Sequence, residues 1–314
     1  MKKIKEILIR EYSAKPKKSL ELVREGIDND VYIFYNRNNT KIIARINKTG
    51  QIPSLKFEVE LINKLVKSKV PTAKIVPTTS GKYFKKVNSR QAIICFEYVE
   101  GAPIDYGPEY TPRLSLVKQA GAALGQFHQA TINLNLEEKR KRTIYSELEK
   151  ALINSRKIIN TFQDAETFIN EVKKTLEKAK KGVFKSSQGV IHNDYNTSNI
   201  LFKNHKLQAI LDFDWACPGP LLMDVGYGAM SWSTAEKDAK PGKKAFSAFI
   251  NSYNSTSPIK VNFNNSLWFW TGYSCLYLSC GFLSRMAIDN EYNLTSVKQS
   301  HMYRRFLYYI KKTS

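Results

Sequence analysis

His192, Asp194 and Asn199 share one polar stretch, and Asp212 and Asp214 follow, the first of them 13 residues after Asn199. Strand-like runs flank the stretch, Gly189–Ile191 before it and Leu207–Leu211 after it, so the side chains stand in a loop and at a strand end. Phosphoryl transfer to a hydroxyl uses such a set. One carboxylate must lie beside the attacking hydroxyl and take its proton. A carboxylate and an amide oxygen must hold Mg²⁺ against the nucleotide phosphates. Because Mg²⁺ keeps waters and borrows phosphate oxygens, no full protein cage is expected. An asparagine in a polar loop is ordinarily a turn residue, and an aspartate at a strand end is ordinarily a cap. Their occurrence together, in this order, favours the chemical reading.

The elements that must position these residues fall into two groups. Residues 22–47 read as a β-hairpin with strands Val31–Tyr35 and Lys41–Ile46 around a turn-rich Asn36–Thr40. Leu55, Val59, Ile62, Leu65 and Val66 recur at helical spacing, which predicts a helix over about 55–68, stopped before Pro71. A strand at Ala92–Val99 completes a small α+β domain over residues 1–99. Residues 100–314 read as a larger, mainly helical domain. Leu114, Val117, Gly121, Leu124 and Phe127 set an apolar stripe ahead of His128. A charged segment at about 131–182, with Phe168, Val172 and Leu176 on one narrow face, reads as an inserted helical hairpin. Further helices are expected at about 243–255, 266–286 and 294–311, and no internal repeat is present.

A chain of 314 residues can hold two domains, and 42% hydrophobic with 12% aromatic residues excludes a disordered chain. Cys95, Cys217, Cys275 and Cys280 form no metal-ligand spacing and read as buried reduced thiols. Leu267–Ser284 carries no charge, but its serines, tyrosines and glycines favour a buried helix over a membrane span. The first 18 residues hold no long apolar core of a signal peptide, so a cytoplasmic enzyme is expected. The formal charge of +21 attracts anions in general. Its lysines are scattered and no finger or aromatic-interleaved strand pair accompanies them, so there is no specific nucleic-acid signal.

The run Val190–Leu201 resembles the H-x-D-x₄-N catalytic loop of the aminoglycoside phosphotransferase and choline kinase family. Ile210–Gly226 is similar to that family's metal-binding segment and the aspartate beyond it. Leu124–His128 and Phe96–Gly101 fit its pattern as well. The resemblance spans roughly residues 20–285. It implies a protein-kinase-like, two-lobed α+β fold with a small β-rich N-terminal lobe and a larger helical C-terminal lobe. It also implies ATP and Mg²⁺ as cofactors and a small hydroxyl-bearing molecule as acceptor. By this similarity Asp194 takes the catalytic-base position, and Asn199 and Asp212 the Mg²⁺ positions. His192 either braces the loop or touches substrate. Asp224 anchors the loop by hydrogen bonds, while Asp214 reaches metal, faces substrate or is plain surface.

In the small lobe the resemblance places Arg45 where the family has Lys or Arg for the nucleotide phosphates. Glu58 is its natural partner, with Glu60 on a different helix face as the alternative. Gly26 and Asn29 stand where a phosphate-covering loop belongs, and Phe96, Glu97, Tyr98 and Val99 where a hinge offers backbone groups to adenine. The acceptor is open among aminoglycosides, amino sugars, homoserine and choline-like alcohols. Asp214, Glu236, Asp238, Asp289 and Glu291 are candidate carboxylates for a cationic acceptor. Trp215, Trp232, Trp268, Trp270 and Tyr273 are candidate aromatic walls or core. A protein kinase, an inactive relative of the kinases and a basic nucleic-acid binder are the rival readings. The oligomeric state is left open.

Overall fold

A computed structural model describes residues 1–15, 20–25, 29–48, 52–104, 107, 110–235, 238–289 and 294–313, with the backbone alone at 24–25 and 52–53. Contacts divide the chain into two compact units. The smaller holds Met1–Ala102, Asn135–Lys141 and Gln208–Asp214; the larger holds Pro103–Leu134, Arg142–Leu207 and Trp215–Ser314.

The smaller unit contains α1 (Lys2–Glu11), β1 (Glu21–Glu25), β2 (Asn29–Tyr35), β3 (Lys41–Asn47), α2 (Ile52–Lys67), β4 (Ile75–Val76), β5 (Phe84–Lys86) and β6 (Ala92–Glu97). The strands pair antiparallel in the order β1-β2-β3-β6-β4, and β5 also pairs with β6. Side chains alternate between the two faces of a strand, and β3 uses both. Ile42, Ala44 and Ile46 join Ile93, Cys95 and Phe34 in a core covered by Ile4, Ile7, Leu8 and Tyr12. The intervening Arg45 therefore points to the opposite face, where it meets α2. Helix α1 was not anticipated, although Ile4, Ile7 and Leu8 carry the spacing of a one-sided helix.

Two short segments complete this unit. Residues 208–214 join it through Ile210, whose N–H donates to Pro71 O at 2.8 Å and whose carbonyl accepts from Thr72 Oγ1 at 3.0 Å. Arg140 lies 5.3 Å from the Phe57 ring and donates to Ser54 O at 2.8 Å and Phe213 O at 3.3 Å.

The larger unit contains α3 (Leu114–Thr131), α4 (Ser146–Ile153), α5 (Ser155–Thr161), α6 (Ala165–Lys180), β7 (Gln188–Ile191) and β8 (Ile200–Lys203). Strand β9 (Lys206–Ile210) begins in it; β10 (Cys217–Pro220), α7 (Leu221–Ser231), α8 (Lys243–Thr256), α9 (Asn265–Asp289) and α10 (His301–Ile310) follow. The segment expected to form one helical hairpin thus carries three helices, with Phe168, Val172 and Leu176 buried along α6 as the periodicity implies. Helix α7 is buried along its whole length. The uncharged stretch at 267–284 lies in α9, where Tyr273 and Tyr277 donate to Ile144 O and Thr143 O at 3.1 and 3.2 Å. Hydroxyls satisfied inside the protein account for a long apolar helix that still carries tyrosines. Among the described residues no helix is long and apolar enough to cross a membrane.

Helices α3 and α8 approach closely because Gly121 and Gly125, one turn apart, present no side chain at the crossing. A Cβ on Gly125 would lie 2.7 Å from Tyr253 O and 3.0 Å from Ser257 N, both backbone atoms that can yield only if the helices part. Gly125→Ala is therefore expected to destabilise the protein by about 1–3 kcal/mol, the usual cost of overpacking. A lowered urea midpoint with an unchanged slope checks this.

Candidate active site

In the larger unit the site is built from one antiparallel strand pair. Strands β7 and β10 align Ile191 with Cys217 and Gln188 with Pro220, and α7 follows β10 directly. Asp224, in the first turn of α7, then reaches the backbone beyond β7. Its Oδ2 accepts from His192 N at 2.8 Å and its Oδ1 from Asn193 N at 2.9 Å. His128 Nε2 lies 3.0 Å from Oδ2, and the His128 Nδ1 pairs with Tyr253 OH at 2.8 Å. Burial by itself pushes the Asp224 carboxyl up. The hydrogen bond and charge of His128, together with His192, outweigh burial and hold it below the usual carboxylate range.

The loop following His192 turns sharply. Asn193 adopts φ 63°, a left-handed conformation that asparagine tolerates better than most residues. Its amide donates to Trp215 O at 3.4 Å. Tyr195 fixes the far side, its buried hydroxyl donating to Ala120 O of α3 at 2.8 Å. Asn196 caps the short turn Thr197–Asn199 by accepting from Ser198 N at 2.9 Å, while its Nδ2 donates to Asp194 Oδ1 at 2.8 Å. Asn199 Nδ2 donates to both Asp194 Oδ2 at 2.8 Å and Asp194 O at 2.9 Å. With its amide nitrogen directed at Asp194, the Asn199 carbonyl oxygen is turned the other way. Tyr227 of α7 completes the group, its hydroxyl 3.4 Å from Asp194 Oδ1.

His192 sits with Asp194 in the same loop, yet its ring is fully buried. It packs edge-on against Phe127 and Tyr195 with centroids 6.3 and 5.7 Å away, and its Nδ1 accepts from Asp194 N at 3.3 Å. Of the two parts weighed from sequence, this geometry is that of a brace. It places no imidazole edge toward solvent for substrate to meet.

The smaller unit gathers a second cluster. Arg45 Nη1 and Nη2 form parallel bonds to Glu58 Oε1 and Oε2 at 2.9 and 2.5 Å, with both side chains buried. Glu58 is thus the partner; Glu60 instead accepts from the backbone of Glu137 and Glu138 at 3.1 Å each. The alternative of two solvated surface charges is excluded by their burial. Arg45 Nη1 also lies 3.5 Å from Asp212 Oδ1, and the Phe96 ring is 5.4 Å from its guanidinium. Asn29 Nδ2 donates to Asp214 Oδ2 at 2.7 Å and Asn29 Oδ1 accepts from Asn47 at 3.2 Å. Burial pushes the Asp214 carboxyl up, but Arg45, the hydrogen bonds from Asn29 and Asp212, and Arg140 together hold it low. Asp214 is therefore tied into the cluster, not plain surface. Asp212 adopts φ 65°, a strained backbone for a non-glycine residue and one often found at functional positions.

The hinge candidates occupy the end of β6: Phe96 and Glu97 belong to the strand, and Tyr98 and Val99 follow it, with Lys41 Nζ 4.6 Å from the Tyr98 ring. Gly26, Glu236 and Glu291 lie outside the described residues. Asp238 and Asp289 are exposed. Trp232, Trp270 and Tyr273 are core, and Trp268 stacks on Tyr309. Trp215 alone of that group neighbours the loop that carries Asp194, with the Arg142 guanidinium 3.9 Å from its ring centroid and Tyr277 edge-on at 6.1 Å. Among the described residues no three His, Cys, Asp or Glu side chains form a metal cage.

Sequence reasoning missed His128 and Tyr253 behind Asp224, Asn196 and Tyr227 on Asp194, and Asn47 and Arg140 in the smaller unit. The histidine ending an apolar stripe was visible, but its partner lies 96 residues away. Asp224→Asn is expected to cost about 3–5 kcal/mol at neutral pH, because a buried, fully hydrogen-bonded charge loses its match to His128 and to two N–H groups. The contribution of Asp224 is complete above about pH 4 and disappears as pH falls through its lowered folded-state pKa. Chemical denaturation from pH 7 to pH 2 should show a shallower acid limb in the variant than in the parent.

A family model described as "Phosphotransferase enzyme family" matches residues 19–252. A homoserine kinase of Zymomonas mobilis subsp. mobilis is 25% identical over 70% of this chain and 67% of its own length. One of Brucella ovis is 24% identical over 80% and 74%. Among solved structures, amicoumacin kinase in complex with AMP-PNP, Ca²⁺ and its ligand superposes with a TM-score of 0.76 at 15% identity, covering 100% of this chain and 93% of that one. A microcompartment-associated aminopropanol kinase gives 0.67 at 17% identity over 96% and 94%. The fold is accordingly the protein-kinase-like α+β one, with its β-sheet in the N-terminal unit and helices dominating the other. Matched across most of its length, with a braced aspartate in the loop that the motif marks, this chain belongs to the phosphotransferase enzyme family.

Proposed function

We propose that this protein is an ATP- and Mg²⁺-dependent kinase that moves the γ-phosphoryl group to the hydroxyl of a small amino alcohol, homoserine first among the candidates. The observation that carries the reading is the Asp194 carboxylate, held at 2.8 Å by both Asn196 and Asn199 in a loop whose backbone is fixed by Asp224. A carboxylate so restrained is oriented before substrate arrives, which is the main demand when proton transfer comes late in a loose transition state. Homoserine leads because the homoserine kinases are relatives over about two thirds or more of their length. Cytoplasmic location accords with such a substrate.

In this reading Asp194 accepts the proton of the acceptor hydroxyl as that oxygen forms its bond to the γ-phosphorus. The bond from the γ-phosphorus to the bridging oxygen breaks, and its electron pair leaves with ADP. Residues 1–99 serve as the nucleotide-binding lobe and 100–314 as the catalytic and substrate-binding lobe. Arg45, fixed by Glu58, holds phosphate oxygens, and its planar fork can take two where a lysine would give a point charge. Asn29, and by the resemblance Gly26, belong to the phosphate-covering segment, and the backbone of Phe96–Val99 receives adenine. Asn199 and Asp212 are the Mg²⁺ ligands. Their donors fit, because Mg²⁺ prefers hard oxygens and the Asn199 amide already directs its nitrogen at Asp194. When bound, the ion neutralises charge on the phosphate oxygens. Asp214, lowered and tied to Asn29, supports the same cluster, and Asp224 and His192 hold the loop.

Incubating the protein with ATP and a panel of homoserine, choline, amino sugars and aminoglycosides should release ADP, with homoserine the best acceptor, and chelation should abolish turnover. Asp194→Ala should retain nucleotide binding while turnover drops by roughly 100- to 10,000-fold, the range for losing a general base. Phosphorylation of peptide alone, or full turnover by the alanine variant, would defeat the proposal.

A further inference from the structure

We infer that the Tyr227 hydroxyl positions the acceptor alcohol, marking the Oδ1 side of Asp194 as the place where that alcohol docks; the inference rests on Asp194 being the base. Tyr227 lies three residues after Asp224 on α7, so one face of one helix carries both the group that anchors the loop and a group that reaches its carboxylate. It is only 5% exposed, and its hydroxyl points to Asp194 Oδ1.

The three side-chain donors named on that carboxylate differ in how firmly they are held. Asn196 and Asn199 bond at 2.8 Å, and each is tethered by a second contact, to Ser198 N and to Asp194 O. Neither can leave without undoing the turn that carries Asp194. Tyr227 stands at 3.4 Å, well beyond the 2.7–2.8 Å usual for hydroxyl donors, so its bond is the weakest of the three. An incoming alcohol must donate its proton toward one Asp194 oxygen. Oδ2 accepts from Asn199 and Oδ1 from Asn196, both at 2.8 Å, and on the Oδ1 side the longer tyrosine contact already sets a hydroxyl where the alcohol would dock.

A phenol can both donate and accept, so displacement does not leave it stranded. With the alcohol O–H directed at Oδ1, the tyrosine O–H turns to donate to the alcohol oxygen. That oxygen is then held from two directions, by the base that takes its proton and by a neutral donor fixed on a buried helix. Tyr227 also lines a small void together with Asn193 and Tyr277.

Tyr227→Phe removes the hydroxyl and keeps the ring. Steady-state kinetics with ATP and homoserine, or with whichever alcohol the parent uses best, should show the acceptor KM raised about tenfold, in line with one lost hydrogen bond to a polar group. The KM for ATP should hold steady. An acceptor KM matching the parent would overturn the inference while leaving the kinase reading intact. Failure of the phenylalanine variant to fold, read by its melting temperature, would also overturn it by giving the hydroxyl an architectural part. A parent that phosphorylates no small alcohol would remove the kinase reading and this inference with it.

Discussion

Two consecutive backbone N–H groups converge on one buried carboxylate, and the rest of the larger unit's site depends on that convergence. Asp224 accepts from His192 N and Asn193 N, which fixes the direction in which the chain leaves β7. A buried carboxylate is costly unless its lone pairs are used, and here His128 takes part of the remaining capacity. The left-handed turn at Asn193 then becomes tolerable, because the groups on either side are already committed. Asp194 follows directly, with its carboxylate oriented by two amides. The chain places the stiffest part of this arrangement on the fully buried α7 and the buried face of α3, and leaves the loop itself only to present the carboxylate.

The smaller unit solves a related problem with an ion pair. Arg45 lies on the face of β3 opposite to the apolar core under α1, and a buried guanidinium there would be unsupported without Glu58. The parallel pair of bonds fixes the plane of the fork as well as its position. Asp212 is near enough to share the charge, so the same arginine links β3, α2 and the segment that follows β9. A single ammonium could satisfy Glu58 or Asp212, but it has no rigid fork with which to address both.

Much of this was legible before any coordinates. Strand alternation, helix spacing and the turn residues marked the hairpin, α2, α3, α8 and α9 to within a few residues, because local patterning dictates those elements. The polar loop and its carboxylates were conspicuous because phosphoryl transfer needs them in one order along the chain. What stayed hidden was long-range pairing. Nothing local to His128 distinguishes it from a histidine capping an apolar stripe until α3 and α7 are packed together. Tyr227 reads as one more apolar residue in a buried helix, and only the fold brings its hydroxyl to Asp194. Arg140 sits in a run of basic residues whose charge pattern looks uniformly solvated, yet it alone of that run bridges α2 and Phe213. Helix α1 was missed for a different reason: its basic residues drew attention to targeting, while its three core-facing apolar residues are few enough to escape notice.

The assignment of residues 135–141 and 208–214 to the smaller unit has an implication for how this architecture can be taken apart. The unit is not a contiguous cassette. A fragment ending at Ala102 would contain the whole six-stranded sheet but would lack Ile210 beside Pro71 and Thr72, Arg140 beside Phe57, and Asp212 beside Arg45. Exchanging N-terminal segments between relatives would for the same reason import the arginine without the aspartate that shares its charge. Gene-level recombination in such a chain is constrained at three separated stretches at once, so the parts of the smaller unit's cluster must drift together.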